Sequence, residues 1–408
     1  MGRGGDGPAL EWPAALDVEA VLADGWVPTP FRQFLLKVHS RCNLACDYCY
    51  IYTMADRGWR RQPRTMSDAV LAGAAARIAE HARCHRLRAV EVVLHGGEPL
   101  LVGRARLGAM LVRLREVLDP VVQVRFGLQT NGLLLDEPLL EVLAEHQVRV
   151  GVSVDGDAAS HDRHRRYRDG RGSHAAVSRA LGLLALPEFR PLYGGVLCTV
   201  DLANDPVAVY ESLLRFDPPR LDVLLPHGTW SSPPPGKNVR SGDAPYGDWL
   251  VEVFDRWFDD GGAEPVVRLF DEIMQLLLGG VSRSEVVGVA PVGLVVVETD
   301  GSIEQGDVLK VAYDGAPSTG LNVVTHSFDA ALRLPSMVAR QCGLRALAEE
   351  CVRCRVHPVC GGGLYAHRYR SGRGFRNPTV YCTDLYRLIT HIAGVVRSRM
   401  PALRGGAR

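Results

Sequence analysis

The sequence predicts an α/β fold, a partial (β/α)6 TIM-like barrel followed by a smaller, cysteine-rich carboxyl-terminal domain. Three observations carry that prediction. From Phe34 onward strand-like and helix-like segments alternate through six units, which implies a parallel sheet with right-handed crossovers. The composition then breaks at 227–243, where Pro233-Pro234-Pro235-Gly236 marks a stiff, exposed connection. Beyond Gly279-Gly280 the pattern changes again, and cysteines become dense after Cys342. Six units are too few for a closed eight-stranded barrel and too regular for a sandwich.

Residues 1–30 are rich in Gly and Pro, with one short helical stretch from Trp12 to Ala23, and read as an extension covering an edge. The candidate strands are 34–39, 89–95, 122–129, 149–154, 191–200 and 220–226, the first five rich in β-branched or aromatic residues and the last in Leu. Helical patterns fall between them at 66–86, 103–118, 136–146, 174–186 and 205–216. The chain therefore divides into an extension (1–30), a barrel (31–226), a connection with bridging helices Pro245–Asp259 and Glu264–Leu278 (227–288), a second domain (289–400) and a flexible tail (401–408). The second domain opens on a strand, Val292–Val297, and a hairpin turn at Asp300-Gly301.

The bulk properties exclude several classes of partner. A formal net charge of +1 over 408 residues supplies no field for nucleic acid or a membrane surface. Ten cysteines at metal-ligand spacings do not make a secreted disulfide scaffold, and no apolar run is long enough to span a bilayer. A protein of the reducing cytoplasm is expected.

The chemistry gathers at the ends of the strands. Cys42, Cys46 and Cys49 follow the first strand with C-x3-C-x2-C spacing. A structural zinc or an electron-transfer cluster takes four protein ligands, so three thiolates would leave one iron of a cluster open. By spacing alone, zinc with a distant fourth ligand remains an alternative. The next strands end in His95-Gly96-Gly97-Glu98-Pro99, Gln129-Thr130-Asn131-Gly132 and Ser153-Val154-Asp155-Gly156. Each is also ordinary turn chemistry, and the basic run His161 to Arg168 is also the composition of a solvated face. Cys351, Cys354, Cys360 and Cys382 make a complete set of four, for which spacing leaves zinc and a four-iron cluster equally open. Cys84 and Cys198 lie in helical and strand patterns and read as core residues.

Taken together, these motifs resemble the radical S-adenosylmethionine (SAM) enzymes. The three-cysteine loop with Tyr48 before its last cysteine is similar to their signature, and the resemblance implies an open iron of a [4Fe–4S] cluster that binds SAM and yields a 5′-deoxyadenosyl radical. Gly96, Gly97 and Glu98 resemble the motif that contacts the SAM amino group. Asn131, Ser153 and Asp155 resemble further SAM-binding positions, and Arg165, in a stretch like HDxxR, is implied as a carboxylate contact. The carboxyl-terminal four resemble the second auxiliary cluster of the SPASM domain, which implies one auxiliary [4Fe–4S] cluster. Where that domain would ligate a first auxiliary cluster this sequence has Gly306 and Leu364, so two clusters in total are expected, with Cys342 left over.

A finer resemblance is to the Fxs-type (FxsB-like) radical SAM/SPASM maturases. It is carried by Arg32-Gln33-Phe34, Lys37-Val38-His39-Ser40-Arg41, Asp300 to Gln305, Leu309-Lys310, Cys360 to Tyr369 and Tyr381-Cys382. It implies a ribosomally synthesised precursor peptide as substrate and a cyclophane, an aromatic ring joined to a β-carbon, as product. In the sulfatase-maturing relatives of this class the Asp that matches Asp307 is a proposed general base, which implies Asp307 as the base that takes the proton, with the auxiliary cluster as the electron acceptor. By itself Asp307 also reads as a turn or solvated carboxylate. A flavodoxin or ferredoxin is the expected reductant. The 30 residues before the barrel are too few for a recognition domain, which needs about 50, so leader binding falls to residues 227–285, an exposed edge or a separate leader-recognition protein. Other peptide oxidations, by thioether formation or in the manner of sulfatase maturation, are the alternatives within the class. A non-enzymatic zinc- or cluster-binding protein is the alternative outside it; that reading explains both cysteine sets but not the polar strand ends.

Overall fold

The computed structural model describes residues 11–262, 264–282 and 284–405. Ten strands form one sheet: β1 (Gln33–His39), β2 (Ala89–Gly96), β3 (Gln123–Thr130), β4 (Arg149–Ser153), β5 (Tyr193–Thr199), β6 (Arg220–Leu224), β7 (Val266–Val267), β8 (Leu294–Val297), β9 (Ser302–Glu304) and β10 (Ser318–Asn322). Their order is β10-β9-β8-β1-β2-β3-β4-β5-β6-β7. From β8 to β7 the pairing is parallel, and β9 and β10 add an antiparallel ribbon at one edge. The predicted parallel βα arrangement is thus present.

Alternation along each strand decides which face carries chemistry. Phe34, Leu36 and Val38 of β1, Val92 and Leu94 of β2, and Val150 and Val152 of β4 are fully or almost fully buried against the surrounding helices. Each contributes about 1.5–3 kcal/mol of burial free energy. The intervening residues Lys37, His95, Gln129, Ser153 and Thr199 face the concave side, with Lys37 directly opposite His95 in the β1–β2 register. Four of the helices that follow strands start at side-chain caps: Ser67, Asp136, Asp157 and Asp205 each accept a backbone N–H from the first turn of the helix that follows. Such a cap contributes about 1 kcal/mol and fixes where each strand-end loop must finish.

Several elements differ from expectation for identifiable reasons. The strand expected to open the second domain instead extends the barrel sheet, with Gln33 opposite Leu294 and Leu36 opposite Val297. Residues 158–164 form a helix rather than a loop, capped by Asp157. The second bridging helix begins at Arg268, because Val266–Val267 first pairs with β6. The amino-terminal helix is confined to Val18–Ala23, and the first ten residues of the extension lie outside the described residues.

The Pro-rich connection is anchored rather than exposed throughout. Lys237 is buried, its Nζ 2.5 Å from Asp384 Oδ2 and 2.9 Å from the Asp243 carbonyl. Trp230 Nε1 donates to the Pro378 carbonyl at 2.7 Å. Asp384 Oδ1 also accepts from the N–H groups of Tyr246 and Gly247, which joins the helix Pro245–Asp259 to the helix Cys382–Gly405. That last helix runs through the start of the expected tail, and residues 406–408 lie outside the described residues. Cys198 is buried in β5 as expected, whereas Cys84 is exposed at the end of its helix. Among the described residues no helix is long and apolar enough to cross a membrane.

Candidate cluster and cofactor site

The loop after β1 is held from below by β2. Gly97 N donates to the His39 carbonyl at 2.9 Å and Glu98 N to the Arg41 carbonyl at 3.0 Å. A Cβ on Gly96 would lie 2.2 Å from the His39 oxygen, and one on Gly97 2.6 Å from that of Arg41. The two glycines are therefore required first by the close approach of the cysteine loop itself. On the loop, Cys42 Sγ accepts from Leu44 N at 3.4 Å and from Asn131 Nδ2 at 3.6 Å. Asn131 Nδ2 also donates to Asn43 Oδ1 at 2.8 Å, so the end of β3 orients the loop and its first sulfur. Burial pushes the Cys42 and Cys46 thiols up to about 11 and raises that of Cys49. A bound metal would have to displace those protons.

Above the loop lie side chains with unused hydrogen-bonding capacity. Glu98 is 1% exposed; its Oε1 accepts from Leu100 N and Thr130 Oγ1, and its Oε2 from Asn131 N at 2.8 Å. Burial pushes its carboxyl up to about 6. The carboxylate thus ties β2 to β3 and keeps an acceptor position at Oε2. Asp155 Oδ2 accepts from the Tyr48 hydroxyl, and its Oδ1 from Thr199 N at 3.0 Å. Tyr48 in turn accepts from Arg165 Nη1 at 2.9 Å, whereas Arg165 Nε is buried with no partner. Tyr48, Asp155 and Arg165, far apart in sequence, form one chain of contacts. Ser153 Oγ accepts from Gln129 Nε2 at 3.1 Å.

His161 and Asp162 position that arginine. Asp155 N donates to His161 Nδ1, which places the ring proton on Nε2, facing Ser173 Oγ at 2.9 Å; Ser173 then donates to the Arg165 carbonyl at 2.6 Å. Burial holds His161 far down, at about 2, so it stays neutral. Asp162 Oδ1 accepts from Ser173 N and His174 N, which closes the loop behind Arg165.

Asp307 lies in the concave face beneath these groups. It is 5% exposed, with Lys37 Nζ 3.0 Å and Lys310 Nζ 3.7 Å from Oδ1. Lys310 also meets Glu298 and Glu304, each at 3.0 Å. Burial opposes ionisation of Asp307, but the two ammoniums outweigh it and hold its carboxyl below the ordinary range. His95 stands beside this network, pushed down to about 4 by burial and then by Lys37. Tyr50, which follows Cys49, is within electrostatic reach of Asp307 and packs edge-on against His227 at 4.7 Å. His227 and His367 share a 3.0 Å contact and line a cleft together with Leu224, Leu364 and Tyr381. Sequence reasoning singled out Asp307 as a base, but gave no role to Lys37, Lys310, His95 and His367, which it quoted only inside motifs, or to His227. The one available signal was a lysine inside an otherwise apolar strand.

The carboxyl-terminal cysteines come together from two short helices, Glu349–Val352 and His357–Cys360, the turn between them and the start of the long helix Cys382–Gly405. Cys351 is within electrostatic reach of Cys354 and Cys382, and Cys360 of Cys351 and Cys382. Burial pushes Cys351 up to about 11 and Cys360 up to about 12, and the Gly362 N–H aimed at the Cys360 sulfur opposes the rise. Gly361 admits the chain where a Cβ would collide with the Gly288 carbonyl. Arg368 is buried beside Cys351 and Cys360, held by the Gly361 and Gly363 carbonyls at 2.7 and 2.6 Å, and balances thiolate charge. At Gly306 a side chain would meet the Arg340 guanidinium at 3.4 Å, itself paired with Glu285 at 2.5 Å. Cys342 is buried in a separate apolar cluster with Val21, Val338 and Ala346.

Both cysteine sets fit a multi-iron cluster. In neither set do three sulfurs come within 4.8 Å of one another. Four thiolates on one zinc, at about 2.3 Å each, would stand about 3.8 Å apart.

Residues 36–185 match the Radical SAM superfamily. Over 93% of its length the chain is 26% identical to the serine-type anaerobic sulfatase-maturating enzyme of Klebsiella aerogenes, covering 89% of that protein. It is 27% identical to the cysteine-type enzyme of Clostridium perfringens over 82% of this chain and 88% of that one. The fold matches native anSMEcpe with bound AdoMet at a TM-score of 0.76, with 23% identity over 90% of this chain and 99% of that one. The arrangement is thus the radical SAM fold with a SPASM-type carboxyl-terminal region, and the cofactors of that arrangement are [4Fe–4S] clusters and SAM. Residues 36–185 are a radical SAM domain, and the chain that carries it is an enzyme.

Proposed function

We propose that the protein is a peptide maturase that abstracts a β-carbon hydrogen from a ribosomally synthesised precursor peptide and closes an aromatic-ring-to-Cβ bond, a cyclophane. The observation that carries this reading is Asp307, a buried, ionised carboxylate within electrostatic reach of Tyr50, which follows Cys49. When bound, a [4Fe–4S] cluster on Cys42, Cys46 and Cys49 with SAM supplies a 5′-deoxyadenosyl radical that takes the hydrogen, and a second cluster on Cys351, Cys354, Cys360 and Cys382 supplies an electron acceptor. The free Oε2 position of Glu98 receives the SAM ammonium beside the Gly96-Gly97 backbone, and the unpartnered Nε of Arg165 receives its carboxylate. Tyr48 and Asp155 keep Arg165 in place and Asn131 keeps Glu98, while Ser153, met by Gln129, is a further SAM contact. After ring addition one proton and one electron must leave to restore aromaticity, and Asp307 takes the proton. Lys37 and Lys310 keep it ionised beforehand.

A peptide substrate is supported by two neighbours of the fold. One is anSMEcpe with bound AdoMet and Cp18Cys peptide, at a TM-score of 0.73; the other is SuiB of Streptococcus suis bound to precursor peptide SuiA, at 0.54. The cleft beside His227 offers an apolar wall to an aromatic side chain. A flavodoxin or ferredoxin would deliver the electron that starts turnover, and a separate protein or the 227–285 segment would hold the leader. A second reading is favoured by the length of the similarity to sulfatase-maturating enzymes: oxidation of a serine or cysteine side chain without a crosslink.

Tandem mass spectrometry of the peptide product separates the two. Loss of two hydrogens with no backbone fragments between an aromatic residue and its partner is expected. A product that fragments between every pair of residues would overturn the crosslink, and one joined through sulfur would make it a thioether.

A further inference from the structure

On the outer face of the barrel, away from both cysteine sets, three metal-ligating side chains converge. His81 and His85 stand one turn apart on the helix Asp68–Cys84 and its cap, and so share a face. Asp329 comes from the helix Phe328–Leu332, about 244 residues further on in sequence. One carboxylate oxygen, Asp329 Oδ1, lies 2.6 Å from His81 Nδ1 and 2.9 Å from His85 Nε2, and the three ligand atoms all lie within 4.8 Å of one another. His81 is 1% exposed at its side chain, packed among Phe31, Phe34 and Phe328. The ring turns its Nδ1 toward Asp329, so that nitrogen is the one it offers to the cluster. His85 and Asp329 are part-exposed, at 28% and 41%, and Asp329 Oδ2 accepts no hydrogen bond among the described residues.

We propose that His81, His85 and Asp329 bind a divalent transition-metal ion, zinc first among them, that fastens the helix Asp68–Cys84 to the helix Phe328–Leu332. Two imidazoles and one carboxylate are a borderline donor set of the kind zinc prefers, and the exposed side leaves a fourth position for water. Zinc at about 2.0–2.1 Å from each atom needs the ligand atoms about 3.3 Å apart. The 2.6 and 2.9 Å contacts are shorter than that, so binding requires Asp329, the most exposed of the three, to shift outward, since His81 is packed among Phe31, Phe34 and Phe328. The competing occupant of the gap is a proton, which would make the cluster a hydrogen-bonded staple and nothing more.

The test uses holoenzyme with both clusters loaded, so that the seven cluster cysteines cannot take the added ion, and it is repeated in Cys84→Ser because Cys84 is exposed beside His85. After dialysis against micromolar zinc, metal analysis is expected to find one zinc per chain, and X-ray absorption at the zinc edge a shell of nitrogen and oxygen only. His85→Ala and Asp329→Asn are expected to weaken zinc binding at least about tenfold with iron content unchanged. Zinc absent from the wild type, equal in wild type and both variants, or bound through sulfur would overturn the proposal.

Discussion

The two cysteine sets present the same ligand chemistry in opposite surroundings. Cys42, Cys46 and Cys49 lie beneath groups with capacity to spare, an acceptor position on Glu98 and an unpartnered Nε on Arg165. The carboxyl-terminal four lie among glycine backbone and Arg368, whose guanidinium is already committed to the Gly361 and Gly363 carbonyls. A thiolate set becomes a place for a cosubstrate when a ligand is missing and polar groups around it are unfilled. It becomes a closed electron-transfer site when all four are present and the neighbours are satisfied.

Substitutions that touch only one side of this contrast sharpen it. The largest effect is expected at Asp307. Asp307→Asn keeps the shape but removes the base, so crosslinked product should fall by about 10²–10⁴-fold while 5′-deoxyadenosine still forms. Equal loss of both would place Asp307 in SAM cleavage instead. Arg165→Lys removes the planar fork; with a charge-assisted contact contributing about 1.5–3 kcal/mol, the apparent KM for SAM should rise about ten- to a hundredfold. Iron content measured alongside should not change, and a loss of iron would mean that Arg165 supports the loop rather than the cosubstrate.

Acid should unfold the protein through its buried histidines. Burial holds His95 and His227 at about 4, His161 at about 2 and His367 far below the ordinary value of 6.5. The unfolded chain takes up protons below that value and the folded chain does not, so their contribution is complete above it and lost as pH falls. Each histidine removes up to about 1.4 kcal/mol of stability per pH unit in that window. Unfolding temperatures measured from about pH 7 down to about pH 5 should fall steeply, and less steeply in His161→Gln; a flat profile would contradict this account. The smallest effect is expected for Glu98→Gln, which places an amide among three donors and should cost about 1–3 kcal/mol in a denaturant titration.

Local pattern made much of this legible and long-range pairing the rest not. The strands showed themselves by alternation and the cysteine sets by spacing. The helix Ala158–His164 was hidden because His161-Asp162-Arg163-His164 offers no apolar stripe, and its signal is the Asp157 cap alone. That β8 would join β1 could not be read from either strand, since nothing local to Leu294–Val297 names its partner or sets a register with β1. Lys37 was visible as a lysine in a buried strand, but its partners Glu298 and Asp307 are 261 and 270 residues away and become neighbours only when β8 closes on β1. Gly96 and Gly97 suggested a close approach without revealing to what; in the structure it is the backbone at His39 and Arg41.

The most direct test of the central claim counts iron and assays SAM cleavage in anaerobically purified wild type, in Cys42→Ala/Cys46→Ala/Cys49→Ala and in Cys351→Ala/Cys354→Ala. About eight irons in the wild type and about four in each variant are predicted, with 5′-deoxyadenosine formed by the wild type and the second variant but not by the first. Zinc in place of iron, or deoxyadenosine formation that survives loss of the first set, would contradict the account.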